Sequence, residues 1–381
     1  MKRIISTICT GLICTGLLPL LLGGCYDSRG MDEINIVSGI AVDMEDEDFL
    51  LTLEIVDLSS DSNTGGSETT LVESRGTTIF EAVRNSKLRL YNKLYFGNLH
   101  TLIISEQLAR EYGIAELLEV FLRDVEPRED IVLLISLENS ARSLIASTGA
   151  DTSNISLELS KIIKEDKNVA ANTKSMELYQ AYNTLKTPGR DLVMPAFHLT
   201  ENNGEKIAEL SGIAIFKDDF LKSFLPTRDM RFYLLAEENG YRGALSVPSL
   251  KNSGHMLSFE IYKSEHKTKL SYEEDRLSIH VDILIELAIT EYHPLDENTR
   301  SHDDLINAAK THVQQRVKEV FLQLQQDPGC DIYGFGELIY ENQYPLWQRV
   351  KDDWDQIFQE AEMDAAVTVR IINAGLSRKG G

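Results

Sequence analysis

Leu277-Ser-Ile-His-Val-Asp-Ile-Leu-Ile-Glu-Leu-Ala-Ile289 decides the fold. Its odd positions, Leu277, Ile279, Val281, Ile283, Ile285, Leu287 and Ile289, are all apolar, while Ser278, His280, Asp282 and Glu286 alternate with them. Strict period-two patterning of this length predicts one long strand with a single buried face. Downstream, Ser301 and Asp304 stand at capping-box spacing and open a helix to about Gln325. Leu305, Ala309, Val313, Val317, Phe321 and Leu324 share one of its faces. A second helix takes in Trp347, Val350, Trp354, Ile357 and Phe358, and Val367, Val369 and Ile371 alternate as a last strand. A sheet covered by two helices is the expected product.

Upstream, residues 34–43 and 49–57 read as a hairpin turned by the acidic Glu45–Asp48 stretch. Residues 59–70 are a polar loop. Thr77 or Thr78 caps a helix to about Leu90, with Ile79, Phe80, Val83 and Leu90 on its apolar side. Strand 99–105, helix 113–124 and strand 130–137 follow. Residues 140–187 read as helical throughout, and 190–225 as strands broken by a turn at Glu201–Gly204. The class is α+β (mixed α/β), with several successive domains, each a mixed or antiparallel sheet covered by helices. The expected division is 25–200 and 201–376, with a possible further boundary near 253.

The first 25 residues set the compartment. Lys2 and Arg3 precede an almost wholly uncharged run from 4 to 22, closed by Leu21-Leu22-Gly23-Gly24-Cys25. A charged start, an apolar core and small residues before a cysteine form a secretory signal of lipoprotein type. Cleavage after Gly24 would leave Cys25 as the first residue, its thiol alkylated by a diacylglyceryl group and its chain anchored by acyl tails. Competing readings are an uncleaved membrane anchor and an ordinary signal. The turn-rich Tyr26–Gly30 lacks the basic flank of a stop-transfer segment.

Removing 24 of 381 residues leaves 381 − 24 = 357. The net charge of −22 becomes −24 once Lys2 and Arg3 depart. Such an acidic chain is a poor nucleic-acid binder, because phosphate binding needs cations that displace counterions. Its field also repels an anionic lipid surface, which assigns attachment to acyl chains or a protein partner. Cys9 and Cys14 leave with the signal and Cys25 is spent on lipid. Cys330 is then left alone, as a buried small hydrophobe without an intrachain disulfide.

Catalytic signatures are missing. No Gly-x-Ser-x-Gly elbow, Walker loop or His-Glu-x-x-His occurs, and no two of the eight histidines stand at metal-ligand spacing. Ser264-Glu-His-Lys267 matches Ser-x-x-Lys but sits in a strand-like stretch. Asp43 and Glu45–Asp48 lack the glycine and distal glutamate of a calcium loop and read as a solvated turn. Gly334-Phe335-Gly336 lacks the third glycine of a phosphate loop and reads as a turn that docks Phe335 on the core. His280 reads as a half-exposed strand residue, and Trp347 and Trp354 as one packed helical face. Neither catalytic, cofactor-binding nor metal residues are assigned.

The run Cys25-Tyr-Asp-Ser-Arg-Gly-Met-Asp-Glu-Ile-Asn-Ile-Val-Ser-Gly-Ile-Ala-Val-Asp43 resembles the mature start of the Ger(x)C spore germination lipoproteins, the C subunits of nutrient germinant receptors. Gly212–Lys217 with Phe220–Leu225 resembles that family's central strand pair, and Asp331-Ile-Tyr-Gly-Phe-Gly336 its C-terminal motif, with Trp347 and Trp354 downstream. Tyr241 departs from the acidic residue often found before Arg242-Gly243. The resemblance implies a non-enzymatic subunit without cofactors. It would be lipid-anchored on the outer face of the spore inner membrane and would act in assembly and signalling with multi-pass A and transporter-like B subunits. Direct binding of a small-molecule germinant is not expected. The alternative is a solute-binding lipoprotein of a transporter, which would show two doubly wound lobes. An exported hydrolase is disfavoured by the empty motif search.

Overall fold

Ile34–Glu45 (β1) and Asp48–Val56 (β2) form the hairpin expected from their apolar runs, turned through Asp46 and Glu47, both at positive φ. The structure is a computed structural model that describes residues 33–57, 68–123, 127–150, 152–169, 172–248, 256–291 and 302–373. The signal segment, Gly24 and Cys25 lie outside the described residues, as do Ser301 and most of the 59–70 loop. No helix among the described residues is long and apolar enough to cross a membrane.

Strand Thr69–Gly76 (β3) pairs with β2, and Lys93–Tyr95 (β4) and Thr101–Ser105 (β5) pair in parallel with β1. Val132–Ser136 (β6) and Val193–Asn202 (β7) extend the parallel run, and Glu205–Lys217 (β8) and Phe220–Pro226 (β9) close it as an antiparallel meander. The sheet order is β3-β2-β1-β5-β6-β7-β8-β9, with β4 off this path on β1. Its parallel centre, β5 and β6, is buried along its whole length, as parallel strands covered on both faces must be.

One face carries Ile79–Asn85 (α1), Glu106–Glu111 (α2), Ala115–Arg123 (α3) and, after a gap, Leu178–Lys186 (α6); the other carries Ala141–Ile145 (α4) and Ile155–Val169 (α5). The continuous helix expected over 140–187 is therefore three helices. Asn154 Oδ1 accepts the Leu157 N–H at 2.9 Å and starts α5. Asp166 accepts the main-chain N–H groups of Asn172 and Thr173, which turns the chain out of it. Such local acceptors compete with helix propagation. The first helix also stops early: α1 ends at Asn85 and one 3₁₀ turn covers Ser86–Leu88.

Thr227–Glu237 (α7) leaves the end of β9 and packs on both sheets. Gly243–Pro248 (β10), Met256–Glu273 (β11), Arg276–Glu291 (β12) and Glu362–Asn373 (β13) make the second sheet, in that order. The first three are antiparallel and β13 runs parallel to β12. The alternation that predicts β12 holds from Leu277 to Leu287; there the pairing with β13 shifts, Ala288 turns inward and Ile289 is only half-buried. His302–Gln326 (α8) covers this sheet with Ala309, Val313, Val317, Phe321 and Leu324. The second expected helix is three pieces: Phe335–Asn342 (α9), Tyr344–Val350 (α10) and Trp354–Glu360 (α11). Gln343, with its extended-side φ, and a 3₁₀ turn at Lys351–Asp353 separate them. Among the described residues two doubly wound lobes are not formed: one apolar core runs from β1 through α7 to β13.

Candidate functional site

Two places collect the unusual side chains: a buried polar joint between the sheets, and an open groove at the start of β1. The joint is built on Asp331-Ile-Tyr-Gly-Phe-Gly336. Asp331 is buried, and its Oδ1 accepts the N–H groups of Gly334 and Phe335 at 2.9 and 3.2 Å while Oδ2 accepts that of Gly336 at 2.8 Å. The carboxylate thus satisfies the first donors of α9 in place of an N-cap side chain. Gly334 takes φ 76°, which a side chain would disfavour. Burial, reinforced by Asp191, pushes the Asp331 carboxyl up to about 7, against the three donors that favour its charged form.

The turn is clamped to the first sheet. Asp191 accepts the Asp331 N–H at 2.7 Å and returns its own N–H to the Asp331 carbonyl at 3.0 Å. Arg190 donates to the Tyr333 carbonyl at 3.0 Å and pairs with Glu337 at 2.6 Å and Glu237 at 3.3 Å; Lys174 also reaches Glu237, at 2.6 Å. Gly189 and Gly336 face each other so closely that a Cβ on Gly336 would stand 2.7 Å from the Gly189 Cα and from the Trp354 ring. Phe335, expected to dock on the core, does so: it stacks on Tyr333 at 5.1 Å and meets Phe321 and Phe358. Trp347 and Trp354 are buried 5.7 Å apart, although on separate helices. The motif is therefore a buried pin between the sheets, and it presents no reactive atom to solvent.

The remaining titratable groups behave likewise. Ser264 points inward and Lys267 outward, since residues three apart on a strand lie on opposite faces, so the Ser-x-x-Lys match makes no pair. His280 is half-exposed between Asp282 at 3.2 Å and Asp364 at 3.5 Å. Cys330 is buried, and desolvation pushes its thiol up to about 12, away from nucleophilic chemistry. Asp43 corrects the reading of a solvated turn: it is buried and caps α4, accepting the N–H groups of Ala141 and Arg142 at 2.6 and 3.0 Å. Its hairpin neighbours Asp46 and Glu47 are exposed as expected. Glu54, which the sequence reading passed over, is a second buried acid. It accepts the N–H groups of Ile155 and Ser156 at 2.8 and 3.1 Å and the Ser38 hydroxyl at 2.8 Å, and so holds the start of α5. The signal for both was an acid at an inward strand position. No cluster of metal-ligating side chains forms among the described residues.

The groove lies between α1 and α3, beside β4. It encloses about 630 Å³, with Val83, Leu94, Phe96, Val120 and Phe121 on its floor and Arg84, Lys87, Lys93 and Arg123 at its rim. Phe80, expected on the buried side of α1, is 57 % exposed there with the Arg84 guanidinium over its ring at 4.9 Å. Among the described residues the groove has an apolar floor, a cationic rim and no acid or nucleophile, which offers contact and not chemistry.

Comparison with known proteins agrees. Residues 27–199 match the family described as spore germination protein N-terminal domain, and 211–375 the one described as spore germination B3/GerAC-like, C-terminal. Spore germination protein B3 of Bacillus subtilis (strain 168) is 26 % identical over 370 residues, which cover 93 % of this chain and 95 % of the relative. Spore germination protein A3 of the same strain is 24 % identical over 377 residues, 96 % and 97 % of the two chains. The crystal structure of the GerBC protein superposes with a TM-score of 0.54 at 20 % identity over 88 % of this chain and 97 % of that one, which shows a shared fold. With both halves matched in order and the fold shared, the chain belongs to the GerAC-like family of spore germination proteins, a non-enzymatic one.

Proposed function

We propose that this protein is the lipid-anchored C subunit of a spore nutrient germinant receptor. It is held on the outer face of the spore inner membrane through Cys25 and acts in assembly and signalling with multi-pass A and transporter-like B subunits. The observation that carries the reading is the pair of GerAC matches, which together run from 27 to 375 and begin two residues after Cys25. The fold supports it: α7 and the Asp331 joint tie both sheets into one body, as a subunit that transmits contact requires. Signal cleavage after Gly24 and acylation of Cys25 raise the effective concentration of that body beside integral partners. Division into regions 25–200 and 201–376 remains part of the proposal, with the first sheet continuing to Pro226. The test is Cys25→Ala in the spore. Loss of the protein from the membrane fraction together with slowed nutrient-triggered germination is expected. Full membrane retention with normal germination would overturn the anchor and the role built on it.

A further inference from the structure

Residues 82–105 contain Arg84, Lys87, Arg89 and Lys93 and no Asp or Glu, in a chain with 60 acids and a net charge of −22. The same stretch exposes large apolar side chains: Leu88 is 85 % and Tyr91 93 % exposed, with Tyr95 and, just before it, Phe80 also open to solvent. All four cations are exposed. Arg84 lies over the Phe80 ring, Lys87 donates to the carbonyls of Tyr91 and Asn92, and Arg89 to that of Glu73, contacts that position the charges without cancelling them. The acids nearby are the exposed Glu33, Glu73, which pairs with Arg142, Glu81, which is held by Thr77, and Glu119, which pairs with Arg123.

The patch also has a fixed place in the fold. Its β4 edge, Lys93–Tyr95, pairs with Ile34–Ile36, the first residues of β1. From Glu33 back to Cys25 is a chain of eight residues, with a reach of no more than about 29 Å. A tether at Cys25 therefore leaves the body beside these cations and rings. Lys and Arg interleaved with Tyr, Leu and Phe match the headgroup zone of a bilayer, where cations meet anionic lipid and amphipathic rings settle at the interface.

We propose that this edge, Arg84, Lys87, Leu88, Arg89 and Tyr91, docks directly on anionic phospholipid and so orients the body against the membrane. The inference rests on the lipid-anchor reading for its setting, but its test does not. A Cys25→Ser chain, expressed without the signal and carrying no acyl group, is mixed with vesicles of equal parts phosphatidylglycerol and phosphatidylcholine, and with phosphatidylcholine alone. Cosedimentation at about 0.1 M salt should favour the anionic vesicles and fade as added salt shortens the roughly 10 Å screening length. Each charge reversal at Arg84, Lys87 or Arg89 should weaken partitioning about fivefold or more. Leu88→Ser with Tyr91→Ser should weaken it as well, while reversal of the distant exposed Lys351 leaves it unchanged. Unaltered circular dichroism of these surface variants certifies their folding. Equal sedimentation with both vesicle types, or reversals without effect, would overturn the proposal. So would normal vesicle binding by patch variants that lose co-purification with integral membrane proteins, which would make the edge a protein interface. The anchor reading fails separately, if the native amino terminus proves unacylated by mass.

Discussion

Asp331→Asn tests whether the carboxylate, and not the mere shape of the turn, holds the two sheets together. Asp331 Oδ1 serves two main-chain donors and Oδ2 a third, that of Gly336 at 2.8 Å. An amide has one accepting atom. In its better orientation its oxygen keeps Gly334 and Phe335, and its NH₂ then faces the Gly336 N–H, donor against donor. Leaving one buried donor unpaired costs about 1–3 kcal/mol. For a chain of this size each kcal/mol moves the melting temperature by roughly 1–2 °C, so calorimetry at about pH 4 should place the variant roughly 1–6 °C lower. The pH arm has a definite sign. The carboxyl is raised from 3.8 to about 7, so between those values the folded protein keeps a proton that the unfolded chain has released. Its contribution is complete below about pH 4 and is lost as pH rises through about 7, a swing of at most about 4 kcal/mol. A protonated carboxyl still offers lone pairs to Gly336, which the amide NH₂ does not, so the gap between wild type and variant should narrow from acid to neutral pH. A variant as stable as wild type at about pH 4, or a gap constant from there to neutral pH, would refute the account.

Three further outcomes follow from the same packing. Gly336→Ala should lose about 1–3 kcal/mol in urea denaturation, because its new methyl meets the Gly189 backbone and Trp354; an unchanged midpoint would disprove that close approach. Glu54→Ala strands the Ile155 and Ser156 N–H groups and the Ser38 hydroxyl and should cost about 3 kcal/mol, with faster amide exchange in the first turn of α5. With Cys25 replaced by Ser, Cys330 should resist iodoacetamide at mildly alkaline pH in the native protein and label fully in denaturant. Native labelling at the rate of a free thiol would show that the joint opens.

Period-two patterning made β12 readable because one face meets α8 and the core while the other meets solvent; the reading slipped only at Ala288, where a shift in pairing with β13 inverts the faces. The same logic carried the β1–β2 hairpin, and the spacing of Val313, Val317 and Phe321 carried α8. Helix boundaries were not legible over 140–187 because the breaks are made by acceptors, Asn154 and Asp166, that take main-chain N–H groups, with the Asn172 side chain adding to Asp166, and no apolar pattern records such contacts. β3 was missed because an edge strand faces water and has little apolar alternation to show. Asp43 and Glu54 were misread or overlooked for a common reason: their partners lie about a hundred residues away, and only the fold brings the starts of α4 and α5 to them. Phe335 was placed in the core correctly, since an aromatic between two glycines has little else to do in a turn.

Net charge was the least transferable of the sequence arguments. A chain at −22 repels an anionic surface as a whole, yet the field that a bilayer meets is set within about 10 Å, the screening length of moderate salt. Over that distance the edge beside β1 presents Arg84, Lys87, Arg89 and Lys93 against fewer acids among the described residues: the exposed Glu33, Glu73, which pairs with Arg142, and Glu81, which is held by Thr77. Global repulsion and local attraction together have a consequence that neither has alone: one edge of the body is drawn to the membrane and the rest is pushed off, which fixes orientation. The acyl chains of a Cys25 anchor are insensitive to salt, whereas the basic edge is not. Raising salt on the lipidated protein in phosphatidylglycerol vesicles should therefore leave it membrane-bound while Tyr91 becomes accessible to aqueous quenchers or labels. Release of the whole protein by salt would mean that the edge, and not the lipid, is the principal attachment. A Tyr91 that stays as accessible in low salt as in high would mean that the edge never touches the bilayer.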